Sequence, residues 1–281
     1  FFLWVDTFDP HEPWDPPQHY VDLYDPGYAG RIFEAPSYGL RKKMGITDRE
    51  LTHIRARYAA EVTMVDTWFG HLMKKLEVLG IADDTAVIFA ADHGTCFDGP
   101  GDMGFIHKLP WVGADGLSVA GGRKPKLPLR YTPLSQNATR IPLMIHLPGM
   151  SRQKRVRPIV QPWDVTATIL ELFGASVPEN VIGKSLLPLL AGKKVAWHRK
   201  AAVLGSSGNG SFAQIMNGTW SYTAWRGERG PALHHMVQDP NCRRNSVTRE
   251  PRVAARLWKE AAAMMKGQGL DEDWLEGYQI R

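Results

Sequence analysis

The chain has 281 residues, 43% of them hydrophobic and 22% charged, with a formal charge of +5. That is enough apolar material for a large core, as one big α/β domain or one domain with an appendage. It excludes several classes: no run nears the roughly 20 apolar residues of a membrane helix, two cysteines cannot make a disulfide framework, and the scattered basic residues accompany no nucleic-acid-binding module.

Residues 1–5, Phe-Phe-Leu-Trp-Val, have no basic leader and stop at Asp6, so they read as a core strand rather than a signal peptide. Pro10, Pro13, Pro16 and Pro17 follow. They forbid a helix interior and make a rigid loop that carries His11. Residues 20–43 are loop-like. Thr47-Asp-Arg-Glu50 is a capping box. Leu51, Ile54, Tyr58, Val62, Val65, Phe69, Leu72, Leu76 and Leu79 then recur at steps of three and four, which predicts a long amphipathic helix lying on a sheet. Gly80 is placed to end it.

Residues 86–91 are apolar without a break, which predicts a strand buried on both faces, as in a parallel sheet. The run ends at Asp92-His93-Gly94. Ligands bind beyond the carboxyl ends of strands in open α/β sheets, and an adjacent carboxylate and imidazole can share one divalent cation. Residues 96–139 form a long irregular segment. Residues 141–146 predict a strand that begins at a sheet edge or has Pro142 as its first residue. Asp164 is expected to cap a short helix stopped by Gly174, and residues 186–190 to form an apolar turn or short helix. From residue 201, short strand-like pieces at 201–204, 212–216 and 220–225 predict a small antiparallel sheet, with a closing helix at 253–265.

Seven segments in order resemble the sulfatases of the alkaline-phosphatase-like superfamily. Phe8-Asp-Pro-His11-Glu-Pro13 looks like their Pro-His-x-Pro loop, and the helix leading into Asp92-His93-Gly94 looks like the approach to their metal motif. Gly101-Asp-Met-Gly-Phe-Ile-His-Lys108 is similar to the segment just after it. Thr139-Arg-Ile-Pro142, Gln161 to Gly174, Gly183 to Leu190 and Leu233 to Pro240 resemble the later family segments.

The resemblance implies an alkaline-phosphatase-like α/β/α sandwich, incomplete at its N-terminal side, with a small C-terminal antiparallel sheet and closing helix. Residues 1–195 would be the latter part of the α/β domain and 196–281 a small α+β subdomain. It implies a metal-dependent sulfuric ester hydrolase acting on a small-molecule or carbohydrate sulfate ester. Asp92 and His93 would hold one divalent cation, calcium before manganese, and His11 and Lys108 would act on the ester. Calcium prefers oxygen ligands and imidazole suits manganese or zinc.

The departures shape the expectation further. Neither Cys96 nor Cys242 continues as the Cys-x-Pro-x-Arg signature from which the family makes formylglycine, and Met103 stands where the family often has His. The family's paired aspartates and its Gly-Lys-x-His segment lie upstream of the Pro-His-x-Pro loop. The expectation is therefore a fragment, inactive alone and poorly soluble. The alternatives are a phosphonate monoester or phosphodiester hydrolase of the same superfamily, or a non-catalytic anion- or carbohydrate-binding module.

Overall fold

The computed structural model of the chain describes all residues except 35–38, 41–44, 98–104, 107–110, 113–129, 132–135, 193–196, 198, 206–211, 227–229, 241 and 280–281. Backbone packing divides it into two units, one of residues 1–132 and 136–151, the other chiefly of residues 152–281. Residues 152–192 pack with the second unit.

In the first unit a short helix, α1 (Gln18–Val21), precedes strand β1 (Gly39–Leu40) and the 31-residue helix α2 (Asp48–Val78). The expected capping box is present: Glu50 N donates to the Thr47 hydroxyl, and Thr47 N donates to the Glu50 carboxylate at 2.7 Å. Gly80 ends the helix at φ +70°, a conformation that costs a residue with a Cβ about 1–2 kcal/mol. A 3₁₀ turn (Ala82–Asp84) leads into β2 (Val87–Ala90). The remaining elements are β3 (Phe105–Ile106), β4 (Trp111–Val112), β5 (Arg130–Tyr131), α3 (Gln136–Thr139) and β6 (Leu143–His146). Strand β1 pairs with β3, β4 with β5, and β2 with β6, all antiparallel.

Three expectations need correction here. Residues 1–5 form no strand and stand 57–79% exposed, since no described strand lies beside them to accept their ladder. Strand β2 is not buried on both faces within a parallel pair. It pairs antiparallel with β6, Val87 opposite His146 and Ala90 opposite Leu143, and its side chains are half-buried or exposed. A continuous apolar run promises cover on both faces, and a two-stranded ribbon does not provide it. The α2 stripe also divides. Leu51 and Ile54 are buried with Trp14 and Ile46, whereas Val62 and Leu79 are exposed. Further along, Phe69 meets Phe89 of β2 edge-on at 5.2 Å, so the helix does lie against that strand.

The second unit opens with α4 (Pro162–Leu172) and α5 (Leu187–Leu190). The expected antiparallel sheet follows: β7 (Ala202–Gly205), β8 (Phe212–Met216), β9 (Trp220–Arg226) and β10 (Ala232–His235) run in spatial order β10-β9-β8-β7. Helix α6 (Pro251–Lys266) presents Ala254, Leu257, Ala261 and Met265 to Ile215, Tyr222 and Leu233 of the sheet. That spacing is one helical face laid on one pleated face. A last helix, α7 (Glu272–Glu276), and β11 (Tyr278–Gln279), which pairs with β9, complete it.

Asp164 is the N3 residue of α4 rather than its N-cap, which is Gln161. Its carboxylate is fully buried. It accepts from Gln161 N at 2.8 Å, from Lys184 N at 3.0 Å, and from both terminal nitrogens of Arg199, itself 7% exposed. A buried ion pair adds little against an apolar replacement, but breaking one side leaves an uncompensated charge. Arg199→Met should therefore destabilise the protein by about 3–5 kcal/mol, read by urea unfolding monitored through tryptophan fluorescence. Adding Asp164→Asn should recover part of that loss. A single-variant loss below about 1 kcal/mol would show that water reaches the carboxylate.

Candidate active site

Beyond β2 the chain turns sharply at Gly94. Gly94 N donates to the Ala138 carbonyl at 2.9 Å, and a Cβ on Gly94 would run into the Asn137 carbonyl. Only glycine permits that approach, which fixes the Asp-His-Gly turn against α3. Asp92 is exposed, and its Oδ1 accepts from His93 N at 2.7 Å. His93 Nδ1 sits 2.9 Å from the Gly94 carbonyl, a partner that can only accept. Nδ1 is therefore the donor in that contact, and Nε2 lies 3.5 Å from Asp92 Oδ2. A metal-ligating histidine is typically held by such a bond from its other nitrogen. The pair offers two donors; among the described residues no cluster of three or more His, Cys, Asp or Glu is assembled.

His11 rides on the proline-rich loop. Its Nδ1 lies 2.6 Å from the Glu12 carbonyl, its ring packs on Phe8 at 4.5 Å, and its side chain is 40% exposed. The loop is fastened from below by Trp14, which is 1% exposed. Trp14 Nε1 donates to the Pro10 carbonyl at 3.1 Å, and the Trp14 carbonyl accepts from Arg57 Nε of α2 at 2.6 Å. The Trp14 ring contacts Tyr58 at 5.7 Å and Phe97 at 5.3 Å, and those two rings meet at 5.1 Å. The loop of His11 and the loop of Asp92–His93 are thus packed on the same turn of α2.

Lys108 and Met103 lie outside the described residues. Cys96 and Cys242 are both buried. Sequence reading missed Trp14, Arg57 and Glu61. Buried His53, Arg57 and Glu61 lie four apart on α2, a polar face beside the apolar stripe, and that spacing was the available signal. His53 Nδ1 and Arg49 both bond the Asp25 carboxylate, at 2.8 and 2.7 Å, which ties the turn after α1 to α2.

The family model described as Sulfatase matches residues 1–175. The chain belongs to the sulfatase family. Arylsulfatase K of Xenopus laevis is 25% identical over 266 residues, covering 90% of this chain and 43% of that protein. A phosphonate monoester hydrolase from Silicibacter pomeroyi superposes with a TM-score of 0.66 at 22% identity, covering 97% of this chain and 58% of that one. A structure solved in complex with its substrate D-glucosamine-2-N,6-O-disulfate superposes with a TM-score of 0.58 at 20% identity, covering 81% and 43%. The chain thus spans less than half of that arylsulfatase, and the fold is the alkaline-phosphatase-like α/β fold of the sulfatases. No helix among the described residues is long and apolar enough to cross a membrane.

Within this sulfatase chain Glu61 is the outlying acid. It is 1% exposed, and its Oε2 has no partner among the described residues. Burial pushes its carboxyl up to about 7, and the charges of Asp9 and Asp15 on the His11 loop push the same way, against a bond from the Asp15 backbone. The fold therefore holds this proton more tightly than the unfolded chain does, where the value is 4.5. The resulting stability is complete below pH 4.5 and is lost as pH rises through about 7. Glu61→Gln, a neutral isostere, should raise the melting temperature at pH 8 and change it much less at pH 5. Scanning calorimetry at the two pH values tests this. An equal effect at both would show that Glu61 is ionised throughout.

Proposed function

We propose that this chain serves a metal-dependent hydrolase of sulfuric esters, with Asp92 and His93 holding one divalent cation and His11 and Lys108 acting on the ester. The observation that carries the reading is the Asp92–His93 pair at the mouth of β2. Its carboxylate is open to solvent, and its imidazole is oriented by Gly94 so that Nε2 faces the same side. The donor set suits a hard or borderline divalent ion, and the resemblance to the sulfatases puts calcium first. When bound, such an ion neutralises charge on the non-bridging oxygens of an ester.

The chain's own groups divide the remaining work. The His11 ring is half-exposed on a loop that Trp14 and Arg57 hold still, so its position is preset before substrate arrives. Its Nδ1 rests on the Glu12 carbonyl, which leaves Nε2 to bind the anion or protonate the leaving oxygen. Lys108 would supply a positive charge to the same oxygens. The substrate class is a small-molecule or carbohydrate sulfate ester. The fold shared with an enzyme solved with D-glucosamine-2-N,6-O-disulfate supports the carbohydrate.

A second reading is a phosphonate monoester or phosphodiester hydrolase with manganese. The imidazole in the donor pair favours it, since imidazole is commoner on manganese than on calcium. The decisive experiment uses the protein that carries this chain. A chromogenic aryl sulfate and a phosphonate monoester are assayed with calcium and with manganese, alongside elemental analysis. Aryl sulfate turnover that disappears together with bound metal in Asp92→Ala is the expected result. Metal content unchanged by that substitution refutes the ligand role. Lys108→Ala should lower turnover at least tenfold, about 1.4 kcal/mol of barrier, with the melting temperature nearly unchanged. Full activity in that variant removes Lys108 from the reaction.

A further inference from the structure

The Asp-His-Gly turn borders an open cleft of about 500 Å³. Helix α2 gives one wall through Arg55 and Tyr58, which are three residues apart and share a face. Phe97 continues that wall, its ring edge-on to Tyr58 at 5.1 Å. Asn137 of α3 and Arg140 just beyond it give the other wall. Thr95 lies between, and its hydroxyl is buried without a partner among the described residues.

Among the described residues, the chemistry of this lining is one-sided. It offers two guanidinium groups, which stay charged at any working pH, together with side-chain amides and a hydroxyl. Among the described residues that line it there is no carboxylate. Guanidinium forks match the oxygens of carboxylates and other oxyanions. Tyr58 and Phe97 add an amphipathic aromatic wall of the kind that takes a ring with one apolar face. The volume suits a small ligand rather than a macromolecule.

Position gives the cleft a role. Thr95 is three residues beyond Asp92, so their Cα atoms are within roughly 11 Å. We propose that this cleft is a second anion site. Arg55 and Arg140 hold a sulfate or carboxylate borne by the same sugar whose ester lies at the Asp92–His93 pair. The site rests on the hydrolase reading for its substrate, but not for its binding chemistry. It selects doubly anionic sugars over singly charged ones.

The test compares Arg55→Gln, Arg140→Gln and Arg140→Lys in the protein that carries this chain. Binding of D-glucosamine N,6-disulfate, glucosamine 6-sulfate and glucuronic acid 2-sulfate is read by titration calorimetry, and turnover is read on a chromogenic aryl sulfate. The Gln variants should weaken a doubly anionic sugar by about tenfold or more, the scale of one charge-assisted hydrogen bond. They should leave the monosulfate, the aryl sulfate and the melting temperature unchanged. Arg140→Lys should restore part of the loss. Dependence on the arginines for the disulfate alone assigns a second sulfate, and for the uronate alone a carboxylate. Equal weakening of mono- and dianionic sugars, or no weakening of either, overturns the site. A protein that hydrolyses no ester but still shows the arginine-dependent binding refutes the hydrolase reading and retains the cleft.

Discussion

The tie between Trp14 and α2 is the constraint on which the candidate site depends. A proline-rich loop has few backbone donors with which to hold itself, because each proline removes one. Here the loop is held by the buried Trp14 indole, which bonds back to Pro10, by the Trp14 carbonyl, which accepts from Arg57, and by Trp14 N, which donates to the Glu34 carbonyl at 2.6 Å. Arg57 is 5% exposed, so this bond forms where water competes little. The same indole packs on Phe97, four residues past His93. Neither functional loop has regular structure of its own, yet both are registered to one turn of a long helix.

The long helix can serve this way because its two ends are specified differently. At its N-terminal half the buried set mixes apolar Leu51 and Ile54 with polar His53, Arg57 and Glu61. The polar members bond to loops, and the apolar members make the small core with Trp14 and Ile46. Toward the C-terminal end the same periodicity continues with little cover, as exposed Val78 and Leu79 show. Periodicity reports which residues share a face; it does not report what lies opposite that face. For that reason the helix, its cap and its stop were legible in the sequence, while the depth of burial along it was not.

The same distinction sorts the rest of the molecule. Local signals were readable: the Thr47–Glu50 box, Gly80 and Gly174 at helix ends, three of the sheet's strands and the closing helix. Non-local ones were not. The antiparallel partner of β2, the open exposure of residues 1–5 and the bond of Asp164 to Arg199 each depend on residues far off in sequence. Asp92 and His93 stood out in the sequence because they directly end an apolar run. Trp14 was not, because a lone tryptophan in a proline loop gives no period to read. Arg55 and Arg140 are 85 residues apart in numbering and meet only across a cleft.

The charge arrangement of the first unit follows from where water is admitted. Asp92 and the His93 ring are left wet, so neither loses its hydration to the fold. Glu61 is treated in the opposite way. It is sealed beneath the His11 loop, close enough to Asp9 and Asp15 that a second negative charge is resisted, and its proton is retained to about pH 7. Two acids within one unit thus sit in opposite surroundings, one open to water and one buried near like charges. The exposed one faces solvent. The buried one faces the loop that must stay in place, where neutrality favours close packing under Trp14's segment. An open carboxylate at the rim and a proton-holding one beneath the loop let the loops carry polar chemistry without loosening the helix that positions them.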